Sequence, residues 1–393
     1  MKRILTLLAL IIFALPLFAQ SEPEMKSSDL KKLGKPFGEW VDAKIEGDPG
    51  KAAEEMMKLE GIIQKMDKKL KGRSALSLVR DWEIVMQTGR GFDKSGKNIK
   101  KGKTIEQDLG AYGKFLVWLP ASYKPDKVNY PAILLLDSDP QATIDGLSDE
   151  TKEAFIILAP LIGGLDKSVL MEAEGRNLII GPIGRGTVAY RVDRSRLFLI
   201  GKGEQGVSFA SAYAAVIPHY FAGVALIGAD AGDVPGKANY SLVVVESKDS
   251  VESAANWALG LESPDKYPTS FEVELVEPWQ GVFYWVQALK FDTGDAVPEG
   301  KASRLKVSVD RGTNTITIDG EYVYQVRLML NDILVDLDKP ITVLRNGQTY
   351  TFQSSRSLGT LLGNYVNSLD GSVYPAQLRQ LDLPSEAKEP TDG

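Results

Sequence analysis

The segment from 196 to 209 constrains the fold more than any other part of this chain. A short apolar run at residues 197–200 leads into a turn with Gly201, Gly203 and Gly206, and small residues follow at 207–216. This order predicts a buried strand, a sharp turn and a helix that packs closely on the strand. The centre of the turn is Gly203, which offers no side chain for chemistry.

Short apolar runs alternate with helical patterns between residues 112 and 291. Some runs, such as Ile-Leu-Leu-Leu at 133–136, are apolar throughout, which is typical of strands buried on both faces of a parallel sheet. We therefore predict an α/β fold, with a mostly parallel sheet flanked by helices. The predicted strands are residues 114–119, 132–137, 155–159, 197–200, 223–227, 242–246 and 271–276.

Different patterns flank this central region. Before it, apolar residues at helical spacing predict helices, with a break at Gly-Asp-Pro-Gly, 47–50. After it, alternating runs predict a small β-rich domain, in which Asn346-Gly347 is typical of a type I′ hairpin. A short helix is predicted at 358–366 and a final strand at 376–383. The predicted divisions are a signal peptide at 1–19, a helical region at 20–108, the α/β domain at 109–293, a linker at 294–302, the β-rich domain at 303–386 and a tail at 387–393.

The N-terminus predicts export. Lys2 and Arg3 precede an apolar run at 4–18, and Ala19 offers a small residue for cleavage. The run is short for a membrane span, so no integral span is expected once the signal is removed. A retained N-terminal anchor is the alternative. The predicted location is the periplasm, the cell envelope or the exterior.

The composition excludes several classes of site. The chain has no cysteine, so disulfides and thiolate metal sites are absent, and one histidine cannot build a zinc site of several histidines. The formal charge of −6 becomes −8 once Lys2 and Arg3 leave with the signal. An acidic chain of this kind is a poor candidate for binding nucleic acid. We expect no cofactor and no metal.

Two stretches of sequence resemble a known family. Residues 193–206, Asp-Arg-Ser-Arg-Leu-Phe-Leu-Ile-Gly-Lys-Gly-Glu-Gln-Gly, resemble the D-x-x-R-(apolar)-x-G-H-S-x-G-G segment of exported esterase-like and dienelactone-hydrolase-like α/β hydrolases. Residues 219–228 resemble the segment that follows it, and 328–350 look like a β domain appended to such proteins in planctomycete-type bacteria. The resemblance implies an α/β-hydrolase fold whose strand–turn–helix segment is a nucleophile elbow.

The resemblance also implies that the catalytic residues are lost. Gly203 stands at the position of the nucleophilic serine, with Lys202 where histidine is common and Glu204 beside it. Ser208 could be nominated by a shift of register, but it lies in the helix and off the sharp turn. The strand at 271–276 is expected to be the last of the sheet, and no histidine base follows it. The single histidine, His219, is interpreted as a capping or surface residue at the far end of the elbow helix.

Other positions of the family's site carry residues with two interpretations. Asp249 matches the acid that orients the base, and it equally suits the N-cap of a helix at 251–261. Asp137 and Asp139 replace the glycines of the oxyanion loop, where their charges would oppose a developing anion. Trp279 could line the pocket, although the aromatic residues at 279–285 are more typical of a buried helix face.

Two further sites were considered. The acidic residues could form a glycosidase-like pair or an oxygen-ligand site for Ca²⁺ or Mg²⁺. The glycine-rich segment 181–186 lacks the ending of a phosphate-binding loop and is predicted to be an ordinary loop. The acidic residues are Asp137, Asp139, Glu204, Asp230, Asp233 and Asp249.

The sequence therefore favours a catalytically inactive hydrolase homologue that binds a small ligand or an envelope protein. One alternative is an active hydrolase that uses a carboxylate-based site. The other is a structural protein of the cell envelope.

Overall fold

The computed structural model describes residues 23–88, 100–124, 129–166, 168–169, 172–368, 371 and 373–384. The predicted signal peptide at 1–19 and the predicted tail at 387–393 lie outside the described residues.

A seven-stranded sheet forms the centre of the molecule. Its strands lie in the order β1-β2-β4-β3-β5-β6-β7. The strands β4, β3, β5, β6 and β7, which are neighbours in this order, are parallel to one another. Strand β2 runs antiparallel to β4, and β1 runs antiparallel to β2. This confirms the prediction of a mostly parallel sheet. The strands are β1 (Thr104–Asp108), β2 (Lys114–Trp118), β3 (Tyr130–Leu136), β4 (Ile156–Pro160), β5 (Val192–Lys202), β6 (Gly223–Ile227) and β7 (Val245–Lys248).

Helices cover both faces of this sheet, as a parallel sheet requires. Two of them, α6 (Ala173–Ala189) and α7 (Gly203–Val216), contribute to the apolar cluster on one face. On the other face the cluster includes residues of α4 (Pro140–Gly146) and α8 (Val251–Leu259). A short helix, α5 (Asp149–Ala154), precedes β4.

Among the described residues, three α-helices precede the sheet: α1 (Ser27–Glu46), α2 (Pro49–Lys69) and α3 (Val79–Thr88). The predicted break at 47–50 is confirmed. Gly47 ends α1 with a left-handed φ of 74°, and the Asp48 side chain caps α2 by accepting the N–H of Lys51 at 2.9 Å. Among the helices described, none is both long and apolar enough to cross a membrane.

The C-terminal part forms two further sheets. The five-stranded sheet has the order β15-β14-β12-β11-β8, and the four-stranded sheet has the order β16-β13-β10-β9. The strands are β8 (Ser270–Leu275), β9 (Val282–Phe283), β10 (Val286–Phe291), β11 (Ser303–Asp310), β12 (Thr315–Glu321), β13 (Val323–Leu330), β14 (Ile341–Arg345), β15 (Gln348–Phe352) and β16 (Gln377–Asp382), with helix α9 at Leu358–Ser368.

The predicted hairpin at Asn346-Gly347 is confirmed. Both residues have positive φ, 43° and 77°, as a type I′ turn requires, and the turn joins β14 to β15. The Asn346 amide also donates to the carbonyls of Gly320 (3.1 Å) and Pro384 (2.7 Å) and accepts the N–H of Gly320 (2.7 Å). The hairpin is thereby fixed to the end of β12 and to Pro384.

The prediction that residues 271–276 belong to the parallel sheet is wrong. These residues form β8, which pairs antiparallel with β11, and the parallel sheet ends at β7. The segment 294–302 connects β10 to β11, two strands of the β region. The aromatic residues at 279–285 do not form a helix either, because they include the short strand β9 and a turn at Tyr284 with φ of 51°.

The N-terminal helices and the two C-terminal sheets share one apolar core. Phe37 of α1 and Trp82 of α3 are fully buried in the same cluster as Leu305 and Leu328. The Phe37 ring meets Tyr365 of α9 edge-on, with 4.9 Å between ring centroids. The predicted helical region at 20–108 and β-rich domain at 303–386 are thus packed together, beside the central sheet.

Buried polar contacts join the same two regions. The Tyr374 hydroxyl donates to the carbonyl of Leu76 at 2.6 Å, and the Tyr267 hydroxyl donates to Glu83 at 2.9 Å. The backbone N–H of Tyr374 in turn donates to the Tyr267 hydroxyl at 2.8 Å. Because these groups are buried, their hydrogen bonds are costly to break.

Candidate functional site

The strand–turn–helix segment forms a sharp elbow. Strand β5 ends at Lys202, and Gly203 begins helix α7 with a left-handed φ of 69°. Residues other than glycine rarely adopt this conformation. A sharp turn of this kind between a strand and a helix, with strained backbone at its tip, is typical of a nucleophile elbow. A Cβ built on Gly203 would meet nothing within 4 Å. A side chain at this position would therefore point into open space.

The glycines on either side of the tip are required by close packing. A Cβ on Gly201 would lie 2.4 Å from the carbonyl oxygen of Gly206 and 2.6 Å from Cβ of Ala210. A Cβ on Gly206 would lie 2.0 Å from the carbonyl oxygen of Leu136. The first turn of α7 therefore rests directly on the backbone of β3 and β5.

Asp137, Thr143 and Lys202 form a polar cluster beside the elbow. Asp137 follows β3 and Lys202 ends β5, and these strands are neighbours with Leu136 opposite Gly201. The Lys202 ammonium donates to Asp137 at 3.2 Å and to the Thr143 hydroxyl at 2.5 Å. The Thr143 hydroxyl donates to Asp137 at 2.5 Å. The structure thus brings Asp137 and Lys202 together and adds Thr143, which the sequence did not suggest.

The charge of Asp137 is compensated. The residue is only 4% exposed, and burial alone would raise its pKa. The hydrogen bonds from Thr143, from the N–H of Asp139 and from Lys202 outweigh burial, so the pKa lies below its ordinary value. Asp137 is therefore ionised at neutral pH. The charge predicted to oppose a developing anion at this position is thus paired with the Lys202 ammonium.

Asp139 has a structural role. Its side chain accepts the N–H of Ala142 at 3.1 Å and caps helix α4. It is exposed, so its charge is in contact with water.

We expect Asp137→Asn to lower the free energy of unfolding by about 2 kcal/mol at pH 7, since it removes a charge-assisted network. The folded pKa of Asp137 is lowered, so its contribution is present above the unfolded pKa of about 3.8 and is lost as the pH falls through the folded value. The difference between variant and wild type should shrink at pH 3. Urea unfolding at the two pH values measures this.

Asp139→Asn is the matched control for that experiment. Asparagine caps helices about as well as aspartate, so its effect should be small at both pH values. A difference for Asp137→Asn that is as large at pH 3 as at pH 7 would show that charge does not carry the effect.

The N-cap of the helix after β7 differs from the prediction by one residue. Asp249 follows β7 and is exposed, but the cap of α8 is Ser250, which accepts the N–H of Ser253 at 3.1 Å in a reciprocal capping box. Asp249 is therefore not the N-cap, and α8 ends at Leu259 rather than at 261.

His219 is far from the elbow and is half-buried rather than at the surface. It lies in the short 3₁₀ segment Pro218–Tyr220, beyond the C-terminal end of α7. Helix α7 has 14 residues and so is about 20 Å long. The imidazole is half-buried among aromatic rings, with centroids 4.8 Å from Tyr220, 5.5 Å from Phe283 and 6.0 Å from Tyr284.

Trp279 belongs to a different cluster. Its ring lies 6.4 Å from that of Tyr213, and the Arg176 guanidinium lies over it at 5.0 Å. Tyr213 is ten residues beyond Gly203 on α7, about 15 Å along the helix. The neighbouring Glu277 has a raised pKa because it is buried. The contacts of Trp279 thus place it away from the tip of the elbow, where it was proposed to line the pocket.

No model of a known protein family matches the chain, and no curated protein matches it. Among solved structures, it is similar to a thermostable esterase over 37% of this chain and 45% of that one, with 14% identity and a TM-score of 0.26. It is also similar to a hypothetical protein from Pseudomonas aeruginosa over 32% of this chain and 43% of that one, with 16% identity and a TM-score of 0.25. The chain thus spans less than half the length of either. These similarities are weak.

The remaining acidic residues do not converge. Glu204 is exposed on the first turn of α7, and Asp230 and Asp233 are exposed in the loop after β6. Within the described part of the chain, no group of three or more His, Asp or Glu side chains could hold a metal ion. Ser208 is half-buried within α7, away from the tip.

The predicted loop at 181–186 is helical, because it lies inside α6. Its glycines allow close packing rather than a turn. A Cβ on Gly181 would lie 2.9 Å from Cβ of Tyr112, and one on Gly186 would lie 2.7 Å from Cδ1 of Leu158.

Sequence reasoning also missed Gln205, two residues after the tip of the elbow. Its side-chain amide donates to the carbonyls of Ile162 at 2.9 Å and Leu165 at 2.8 Å. These bonds connect the elbow to the loop after β4. The sequence gives only one indication of this contact, which is a polar residue in the first turn of the helix.

Proposed function

We propose that this protein is a non-catalytic member of the α/β-hydrolase-like proteins, which acts outside the cytoplasm by binding a ligand or a partner. The observation that carries the proposal is Gly203. It occupies the tip of an elbow with left-handed φ and open space in front of it, where a serine hydroxyl would be presented.

The absence of a base supports the same proposal. Acyl transfer by a serine of this kind needs a histidine within hydrogen-bond reach to remove the hydroxyl proton. The chain has one histidine, and His219 lies at the opposite end of α7 among Tyr220, Phe283 and Tyr284. A nucleophile and a base are therefore both missing at the elbow.

The alternative of a carboxylate-based hydrolase is less favoured by the geometry. A general acid needs a raised pKa, whereas the pKa of Asp137 is lowered. The Asp137 side chain is also occupied by Thr143 and Lys202, and Asp139 caps α4. The other alternative, a structural protein of the cell envelope, would also be non-catalytic. It differs from the proposed function only in what the protein binds.

Export is part of the proposal and rests on Lys2, Arg3 and the apolar run at 4–18. The mass of the mature protein recovered from the cell-envelope or periplasmic fraction tests it. A mature chain that still begins at Met1 in the cytoplasmic fraction would contradict export.

We expect the purified protein to show no label from a fluorophosphonate probe and no hydrolysis of p-nitrophenyl esters above background. Gly203→Ser alone should restore neither, because general-base assistance is worth about 10² to 10⁴ in rate and no base is present. An active serine esterase in parallel is the positive control, and a melting curve establishes that Gly203→Ser is folded. Stoichiometric labelling of the wild type, or rapid labelling of Gly203→Ser, would overturn the proposal.

A further inference from the structure

Among the described residues, no strand pairs with the outer edge of β15 in the five-stranded sheet. Strand β15 pairs with β14 on one side and is the last strand in the sheet order. In a two-residue hairpin, hydrogen-bonded and non-hydrogen-bonded residue pairs alternate along the two strands. Thr349 and Thr351 belong to non-hydrogen-bonded pairs, so their N–H and C=O groups face away from β14. Both threonines are exposed.

The opposite edge of the same sheet is covered. The Asn239 side chain donates to the carbonyl of Glu274 on β8 at 2.9 Å and accepts the N–H of Glu274 at 2.8 Å. The Gln280 side chain donates to the same carbonyl at 3.0 Å. These amides occupy the N–H and C=O of Glu274, which a further strand would need.

The edges of the other two sheets are protected by length or charge, as is usual in soluble proteins. Strand β1 carries Glu106 and Asp108, and the four-residue strand β7 carries a Glu246–Lys248 ion pair. Strand β9 has two residues. On β16, Arg345 from the neighbouring sheet donates to the carbonyl of Asp382.

Strand β15 lacks these protections. Its sequence, Gln-Thr-Tyr-Thr-Phe, has no charge and no proline, and threonine, tyrosine and phenylalanine all favour strands. An edge of this kind is suited to accept another strand.

Two arginines lie near this edge, and neither forms an ion pair with a carboxylate of the residues that the structure describes. The Arg345 and Arg379 guanidinium groups lie 5.3 and 5.2 Å from the Tyr350 ring, and Arg379 lies 4.7 Å from Phe352. The Nε atoms of both arginines are buried and have no hydrogen-bond partner among the described residues. Arg379 comes from β16, the edge strand of the other sheet. We call these four residues the arginine–aromatic cluster.

We propose that the edge of β15 binds an extended acidic segment of a partner protein as an added strand. Main-chain bonds to Thr349 and Thr351 would hold the segment, and its inward carboxylates would pair with Arg345 and Arg379. A second copy of this chain fits less well. Antiparallel self-pairing about Tyr350 would gather four guanidinium groups around the symmetry axis, and like charges repel at this range. The inference does not depend on the elbow.

The test is fluorescence anisotropy with the full chain and a labelled peptide that alternates valine and glutamate. A matched peptide with lysine in place of glutamate is the charge control. We expect saturable binding of the acidic peptide, with Thr351→Pro and Arg379→Gln each weakening it about tenfold or more. Proline at 351 removes an N–H that faces away from β14 and leaves the hairpin ladder intact.

Arg304→Gln is the matched control variant, because Arg304 lies on β11 and pairs with Glu274. It should bind the acidic peptide like the wild type, and melting curves must show all three variants folded. The proposal is overturned by equal binding of the lysine peptide, by unchanged binding in Thr351→Pro, or by no binding up to ~1 mM. Concentration-dependent dimers that Thr351→Pro abolishes would identify a second copy as the occupant and also overturn it.

Discussion

Gly206→Ala is expected to leave little or no folded protein. The added Cβ would lie 2.0 Å from the carbonyl oxygen of Leu136, and it would meet backbone rather than the end of a flexible side chain. Helix α7 and strand β3 would have to separate, which exposes the apolar residues between them. We expect a loss of more than about 4 kcal/mol, a large part of the 5–15 kcal/mol that holds a typical domain folded.

Gly203→Ala is the control, three residues away in the same turn. Its Cβ meets nothing within 4 Å, so only the left-handed φ of 69° costs free energy, about 1–2 kcal/mol. Soluble yield and thermal unfolding compare the two variants. If Gly206→Ala melts within a few degrees of Gly203→Ala, the helix does not rest on β3 as described.

The segment 303–393 is expected not to fold by itself. Its strand β11 would lose β8, and its strand β13 would lose β10, because both partners precede residue 294. It would also expose the core positions that Phe37 and Trp82 cover. We expect an expressed 303–393 fragment to be insoluble or to give no cooperative unfolding transition.

Cleavage within 294–302 in the intact protein gives the complementary result. The two pieces should stay together in gel filtration and separate only in denaturant, since the strand pairs and the core join them. A soluble C-terminal fragment of about 90 residues that leaves the column by itself and unfolds cooperatively would establish an independent domain, as the linker pattern first suggested.

The sequence was sufficient to predict the inner strands of the central sheet, because runs such as β3 and β6 are apolar throughout and alternate with helices. The edge strand β1, which carries Glu106 and Asp108, was not predicted. The prediction from sequence was wrong for residues 271–276, although their pattern differs from that of a strand buried on both faces. Phe271, Val273 and Leu275 are buried, whereas Glu272 is exposed and Glu274 half-buried. Such alternation is typical of a strand with one covered face, unlike the continuous apolar run of β3. The hairpin at 346–347 was predictable because its two-residue chemistry is local.

The site was predictable only where it depends on local spacing. Gly203 could be placed at the turn from the glycines around it. The pairing of Lys202 with Asp137 could not, since it depends on β3 and β5 being neighbours in space. Glycines at 181 and 186 suggested a loop because glycine is a poor helix former. Contacts with Tyr112 and Leu158 make glycine necessary there.

The hydrogen bond from Tyr374 to Leu76 spans 298 positions of the chain, and this bears on the order in which the molecule can assemble. The central sheet draws all its strands from residues 104–248 and can close as soon as they have been made. Helices α1 to α3 are synthesised first, yet Tyr365 and Tyr374, whose rings pack against Phe37 and Trp82, come last. The apolar faces of these helices therefore stay exposed until nearly the whole chain has been synthesised. Completion of this core is thus a late and slow step of folding.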